Sequence, residues 1–142
     1  SGVYCSSTND GQNLYNGGTE NGGNIYTSPE IVEKDTAEYT GSYKVQGDPI
    51  CRLTMTLKYR DNGYVYTLKG DTFTSSGKLL IEKREGNVYF IFTNTFCKGN
   101  KMPVEGIYSG NKIIIQNYGN DMNYYSCFRE CDSKYIQLVK SE

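Results

Sequence analysis

The chain has 142 residues, the size of one domain or of a domain with a tail, and its formal net charge is −1. With 15 basic and 16 acidic residues the composition gives no basic face, so we expect no nucleic-acid partner. No apolar run approaches the roughly 18 residues that would span a bilayer as a helix. The absence of histidine removes the usual general base at neutral pH and every Ser-His or Cys-His nucleophile pair.

The beginning of the chain differs in composition from the rest. Residues 1–37 carry six glycines and five asparagines with few apolar side chains, so this segment buries too little surface to offset its ordering entropy. We interpret it as a flexible leader, of the kind that tethers a folded domain to an upstream lipid anchor. Within it, SPEIVEKD (28–35) predicts a turn of helix, with Ser28 as N-cap and Pro29 at the first helical position. Residues 38–142 are the predicted β-barrel domain.

From Tyr39 onward, apolar and polar residues alternate with a period of two, which is typical of half-buried β-strands. The clearest example is ICRLTMTLKYR, in which every second residue from Cys51 to Tyr59 faces one side of the predicted strand. Nothing between these segments predicts a helix, so all of them can be joined as hairpins. The eight predicted strands cover residues 39–46, 50–60, 64–70, 78–84, 88–94, 104–110, 112–118 and 134–140.

The connections between these strands alternate in length. The second, fourth and sixth are the tight turns DNG, EGN and SGN, which offer the Asn or Gly that primed or bulged hairpin turns need. The third, fifth and seventh are long, at about residues 71–77, 95–103 and 119–133. Because odd and even connections of a meander lie at opposite ends, one end carries the long loops. The pattern predicts an all-β fold, an eight-stranded antiparallel up-and-down barrel, with a two-sheet β-sandwich as the alternative.

A first strand with the motif GSY (41–43), an eight-strand meander and the terminal strand YIQLVK together resemble the lipocalin-like (calycin) β-barrels. Tyr43 stands where lipocalins typically have Trp. A Gly- and Asn-rich leader before such a barrel is similar to small secreted or lipid-anchored proteins of Bacteroidetes-type bacteria. The resemblance covers about residues 38–142, implies an architecture, and carries over no site residue by residue.

Five cysteines indicate an oxidising compartment, so we expect a secreted, periplasmic or outer-surface protein. Cys51, Cys97, Cys127 and Cys131 all fall in or beside odd-numbered connections, which gathers them at the long-loop end. In a closed barrel the seventh connection lies near both the fifth connection and the start of the second strand. We therefore predict the disulfides Cys97–Cys127 and Cys51–Cys131, ahead of the swapped pairing and of a local Cys127–Cys131 bridge. Cys5 is expected to be free or joined to another chain.

The same residues give little support for metal or redox chemistry. A zinc site needs Cys at short paired spacings, usually with His, and a redox pair is typically C-x-x-C rather than C-x-x-x-C. No carboxylate is predicted to be buried in an apolar setting, and Glu130 and Asp132 are expected to pair with Arg129 at the surface. We therefore predict no enzymatic activity, no metal and no cofactor.

The first functional hypothesis is a binding protein that holds a small apolar or aromatic ligand in the barrel mouth, at the long-loop end. Tyrosine side chains would supply an aromatic lining with hydroxyl hydrogen bonds. The structural alternative is that the same side chains simply fill the barrel. The predicted lining residues are Tyr39, Tyr43, Met55, Tyr59, Tyr64, Tyr66, Phe90 and Phe92.

The second hypothesis is a protein-binding module or an enzyme inhibitor, in the form of a lysozyme inhibitor, that acts through loops 94–103 and 118–131. Disulfides would hold these loops in a preorganised surface, and the loops carry residue types that are favoured at binding hot spots. Under either hypothesis we expect a monomer. The predicted contact residues are Phe96, Met102, Tyr124, Tyr125, Phe128 and Arg129.

Overall fold

The computed structural model describes residues 29–34, 36 and 38–141, so Cys5 and most of the predicted leader lie outside the described residues. In this part of the chain no helix has the length and apolar character needed to cross a membrane. The described residues form an all-β structure of nine strands. These are β1 (Glu30–Ile31), β2 (Gly41–Gln46), β3 (Thr54–Arg60), β4 (Gly63–Lys69), β5 (Thr74–Arg84), β6 (Asn87–Phe96), β7 (Pro103–Ser109), β8 (Lys112–Gln116) and β9 (Tyr135–Lys140).

Strands β2 to β9 form the predicted eight-stranded antiparallel barrel, and the sandwich alternative is wrong. Each strand is hydrogen-bonded to the next along the chain, and β9 closes the barrel against β2. In the closing pair, Tyr43 lies opposite Lys140 and Gln46 lies opposite Gln137. Closure pairs the first barrel strand with the last, so β2 and β9 are not the outer edges of an open sheet, the kind of edge that invites pairing with another chain.

The three predicted tight turns are confirmed as two-residue hairpin loops. Both central residues of each turn have positive φ, the backbone conformation of type I′ turns, whose twist matches that of the flanking strands. Glu85 is the least suited of the six, since a non-glycine side chain at a φ of 49° is uncommon outside Asn and Asp. The central pairs are Asp61–Asn62, Glu85–Gly86 and Gly110–Asn111.

Two local predictions are wrong. The predicted loop at 71–77 is shorter, because β5 begins at Thr74 and the polar run Thr74–Gly77 pairs with β4, where Ser76 lies opposite Thr67. The turn of helix predicted over 28–35 is also absent from the residues described there. Instead, Glu30 and Ile31 pair with Lys83 and Glu82 of β5, at the point where β4 no longer covers that strand.

The barrel interior is filled by side chains. The inward residues are almost completely inaccessible to solvent, and their aromatic rings make edge-on or stacked contacts, such as Tyr66 with Phe92 at 5.1 Å between ring centroids. At the long-loop end, Phe128 from the seventh connection joins this core and stacks on Phe73. At the short-turn end, Tyr39 contacts the rings of Phe90 and Tyr108. Both ends of the barrel are therefore closed.

The short-turn end is covered by an N-terminal strap, by which we mean the described residues between Pro29 and Thr40. Tyrosine hydroxyls from four strands donate hydrogen bonds to its backbone carbonyl oxygens and attach it to the barrel. Tyr64 also accepts a hydrogen bond from the Thr36 N–H at 3.0 Å. The donor–acceptor pairs are Tyr43 to Tyr39 O, Tyr59 to Glu33 O, Tyr64 to Lys34 O and Tyr108 to Glu38 O.

Candidate functional site

The long-loop end is fastened by two disulfides, Cys51–Cys131 and Cys97–Cys127, so the first of the predicted pairings is confirmed. They attach the seventh connection, residues 117–134, to the first connection on one side and to the end of β6 on the other. In the chain-entropy model, bridges that close loops of this length each contribute about 4 kcal/mol. The loop end is therefore rigidly held although it lacks regular structure.

Backbone pairing adds to the disulfides. Lys98 and Ser126 exchange both of their backbone hydrogen bonds, at 2.8 and 3.1 Å, and Ser126 also forms a bridge with Tyr118. The segment around Ser126 therefore runs between the fifth connection and the beginning of the seventh. At Gly119 the Asn123 carbonyl lies so close that a side chain would clash, since an added Cβ would be 2.1 Å from that oxygen.

Asn117 is the buried polar centre of the seventh connection, with only 3% of its surface exposed. Its amide nitrogen donates to the carbonyl oxygens of Cys131 and Ser133, both at 3.0 Å, and its amide oxygen accepts from the Phe128 N–H at 2.7 Å. Three loop backbone groups that are shielded from water thus obtain partners from one side chain. Sequence reasoning missed Asn117, because nothing distinguishes it from the other asparagines of the chain.

Asp48 performs a similar role on the first connection and was also missed. Its carboxylate accepts hydrogen bonds from the backbone N–H groups of Asp132 and Ser133, each at 2.9 Å. The hydrogen bond from Ser133 is the largest cause that holds the pKa of Asp48 below its usual value. The carboxylate also lies within 4.8 Å of the sulfurs of Cys51 and Cys131, but these sulfurs are bonded to each other. This arrangement is a structural anchor rather than a set of free metal ligands.

The charged part of the seventh connection differs from the predicted surface ion pairs. Glu130 accepts hydrogen bonds from the Asp71 N–H at 2.8 Å and from the Thr72 hydroxyl at 3.1 Å. It therefore ties the seventh connection to the third. Within the described residues, neither Glu130 nor Asp132 forms a salt bridge with Arg129, and the Arg129 side chain is exposed.

The predicted ligand-lining residues do not surround an open mouth. All except Tyr59, which is half-buried, belong to the buried core. Tyr39 belongs to the strap itself, and Tyr43, Tyr59 and Tyr64 lie toward the short-turn end, where their hydroxyls donate hydrogen bonds to strap carbonyl oxygens. The remaining ones pack deeper in the interior, and they are Met55, Tyr66, Phe90 and Phe92.

The predicted partner-binding residues divide into two groups. Phe128 is 4% exposed and belongs to the core, so the expectation that its ring is exposed on the loop is wrong. Tyr125 is half-buried, and burial raises the pKa of its hydroxyl. The exposed apolar side chains at this end include Met122 at 97%, Tyr124 at 67%, Met102 at 64% and Phe96 at 52%. Sequence reasoning missed Met122, although its place in the polar run GNDMN (119–123) marks it as the tip of a loop.

A cleft of about 410 Å³ opens beside these loops, on the flank of the barrel. It lies between the start of β5, the end of β6 and the seventh connection. Its walls combine aromatic rings with hydroxyl and charged groups. The lining residues are Thr72, Phe73, Ser75, Asn94, Thr95, Phe96, Cys127, Phe128, Arg129 and Glu130.

No family model matches this chain, and comparisons with curated proteins and with solved structures find no significant match.

Proposed function

We propose that this protein is a non-enzymatic binding protein that recognises a protein partner through its long-loop end. The observation that carries the proposal is the exposure of Met122, Tyr124 and Met102 on loops that two disulfides hold in place, with Phe96 exposed beside them at the end of β6. The segments that carry these side chains are neighbours, because Lys98 pairs with Ser126, and large exposed apolar patches often mark protein-interaction sites. Because the loops are already ordered, little conformational entropy is lost when a partner binds.

The chemistry of the exposed side chains supports a protein surface as the partner. Tyrosine provides a large and rigid contact area, and it is among the residue types enriched at binding hot spots. Methionine is flexible and polarisable, so Met122 and Met102 can adapt to an irregular apolar surface. The position of Met122 at a loop tip suits insertion into a recess, as in an inhibitor of a secreted enzyme such as a lysozyme.

A small ligand inside the barrel has less support. The interior residues already contact one another, and Phe128 and the strap close the two ends. A ligand would have to displace Phe128, whose loop is held by both disulfides and by Asn117. An interior ligand, like the lipocalin-like resemblance, therefore stays a prediction.

The setting of the protein is part of the same proposal. Two disulfides suit a secreted, periplasmic or outer-surface location, where thiols are oxidised. The predicted leader would join the barrel to an upstream lipid anchor. We expect a monomer that has no nucleic-acid partner, because the composition offers no basic face.

The test is site-specific photocrosslinking followed by affinity measurement. A photoreactive amino acid at Tyr124 should capture one protein from the extracellular fraction, whereas the same group at Arg60, beside a short turn, should not. Once that protein is purified, Met122→Ser with Tyr124→Ser should weaken its binding at least tenfold. Arg60→Ser is the matched control and should leave the affinity unchanged. Equal capture at both positions, or full affinity of the double variant, would contradict the proposal.

Inhibition supplies a separate readout. If the partner is an enzyme, the wild-type protein should inhibit it, and the double variant at Met122 and Tyr124 should not. A panel of secreted hydrolases that includes lysozymes is the first set to assay.

A further inference from the structure

The cleft on the barrel flank exists because strands β5 and β6 separate at the long-loop end. Strand β5 pairs with β6 only from Leu79 to Arg84, and residues 74–78 pair with β4 alone. On the other side, the pairing of β6 with β7 is interrupted between Phe92 and Phe96. Between Leu79 and the long-loop end, the two strands therefore separate and leave space that the seventh connection only partly covers.

Side chains, rather than ladder hydrogen bonds, hold the separated strands. The Thr93 hydroxyl donates to Lys78 O at 2.7 Å, and the Asn94 amide donates to Ser76 O at 2.9 Å. These contacts give partners to two backbone carbonyl groups of β5 beside the opening. The cleft is thus a built feature of the sheet rather than a frayed edge.

The apolar walls of the cleft suit a ring or a branched apolar group. Phe73 stacks on the buried Phe128 at 5.6 Å between ring centroids, and Phe96 stands 52% exposed at the rim. The volume of about 410 Å³ lies within the range of small-ligand sites and fits one ring with a short substituent. Aromatic rings prefer edge-on or offset contacts with other rings, which both Phe73 and Phe96 can offer.

Most of the polar lining already has partners. The Ser75 and Thr95 hydroxyls bond to each other at 2.7 Å, and Thr95 also bonds to the Tyr66 hydroxyl at 2.7 Å. Glu130 is held by the Asp71 N–H and by Thr72. Arg129, in contrast, forms no hydrogen bond, ion pair or ring contact with any residue that the structure describes. Glu130 also carries a charge, but its oxygens accept hydrogen bonds from neighbouring N–H and O–H groups, so among the described lining residues Arg129 is the charged group whose donors have no partner.

We propose that this cleft binds an apolar or aromatic carboxylate, with the ring against Phe73 and Phe96 and the carboxylate on Arg129. A guanidinium presents a planar pair of donors that matches the two oxygens of a carboxylate. The carboxylate can belong to a free acid or to the C-terminal residue of a peptide, since both present the same group beside an apolar side chain. This site goes beyond the proposed protein-binding function and does not depend on it.

The test is titration of the intact protein with phenylacetate and with the tripeptide Gly-Gly-Phe, followed by NMR of backbone amides. We expect saturable shifts at Phe73, Phe96 and Arg129 with one or both probes. Phenylacetamide and Gly-Gly-Phe amide, which lack the charge, should bind at least about fivefold more weakly. Tighter binding of the tripeptide would indicate that the site recognises the C-terminus of a peptide. Tighter binding of phenylacetate would indicate that it recognises a free acid.

Variants test whether Arg129 supplies the positive charge that binds the carboxylate. Arg129→Gln should weaken the binding of the carboxylate probes at least about fivefold and leave the affinity for the amide probes unchanged. Arg60→Gln, at the opposite end of the barrel, should change neither. Saturation without shifts at the cleft, equal affinity for acid and amide, or full carboxylate affinity of Arg129→Gln would each overturn the proposal. Met122→Ser with Tyr124→Ser should leave phenylacetate binding intact, so failure of the protein-binding proposal is distinguishable from failure of this one.

Discussion

The side-chain oxygen of Asn117 accepts a hydrogen bond from the Phe128 N–H at 2.7 Å, and this contact fixes the residue that closes the long-loop end. Phe128 is the one aromatic residue of the seventh connection that belongs to the buried core. The disulfides at Cys127 and Cys131, on either side of it, restrain the loop but do not orient the ring. The position of Phe128 therefore depends on a polar side chain at the end of β8. The first prediction concerns that side chain.

Asn117→Ala should destabilise the protein by at least about 2 kcal/mol, because it leaves one buried N–H and two carbonyl groups without partners. Urea unfolding under non-oxidising, non-reducing conditions measures the change with both disulfides intact. Asn87→Ala, at an exposed strand start, is the matched control and should change stability by less than about 0.5 kcal/mol. A variant at Asn117 with wild-type stability would show that the loop is held by its disulfides alone.

Asp48→Asn should lower stability at pH 7 by about 1–3 kcal/mol, since the two N–H donors of the seventh connection lose a charged acceptor. The folded pKa of Asp48 lies below its unfolded value, so its contribution is complete above about pH 4 and is lost as the pH falls further. Denaturation midpoints between pH 2 and 7 should therefore decline less steeply in the variant. Asp71→Asn, an exposed carboxylate, serves as control, and identical acid profiles for Asp48→Asn and wild type would refute the assignment.

Tyr64→Phe should loosen the strap and lower stability by about 1 kcal/mol, because one hydroxyl both donates to Lys34 O and accepts from the Thr36 N–H. Hydrogen exchange should accelerate in the strap more than in β8, which is far from the change. Tyr135→Phe removes an exposed hydroxyl and should leave exchange unaltered. Unchanged protection of the strap in the Tyr64 variant would mean that β1 pairing alone holds it.

Stability should fall steeply above about pH 10, the ordinary pKa of tyrosine. Burial raises the pKa values of Tyr39, Tyr43 and Tyr108, so the folded protein keeps protons that the unfolded chain releases. The stabilisation is thus present below pH 10 and is lost as the pH rises through the folded values. Tyr43→Phe should reduce the slope between pH 10 and 11.5 in urea titrations, and Tyr124→Phe should not. Parallel curves for all three proteins would contradict this account.

The barrel and its disulfides could be predicted because local and global signals agree. Alternating strands, Asn and Gly at the two-residue turns, and the unequal connections together imply closure, and closure brings Cys97 and Cys51 to the two flanks of one loop. Thr74–Gly77 could not be recognised as strand from its small polar residues, because its pairing depends on β4. The strap was missed for a related reason, since its place depends on an edge of β5 that β4 leaves open.

The candidate site was predicted less well than the fold. Tyrosines on a barrel interior satisfy the pattern of a ligand cup and the pattern of a packed core equally, and only their partners distinguish the two. Tyr64 donates a hydrogen bond from its hydroxyl to Lys34 O of the strap, and Lys34 belongs to the segment that composition predicts to be a flexible leader. Phe128 does lie on the predicted loop, but it is buried rather than exposed. A loop that crosses a barrel end can contribute a core residue, which the sequence pattern does not reveal.

The path of the strap also determines where a tag or a surface linkage can be attached without covering the long-loop end. It runs antiparallel to β5, with Glu30 opposite Lys83, so the chain enters the barrel beside the turn at Glu85 and Gly86. Met122 and Tyr124 lie at the other extremity of the strands. An affinity tag or sensor-chip linkage placed ahead of Pro29 should therefore present the disulfide-bound loops to the solution. A linkage through Lys98 or Lys101, on the fifth connection, should mask them.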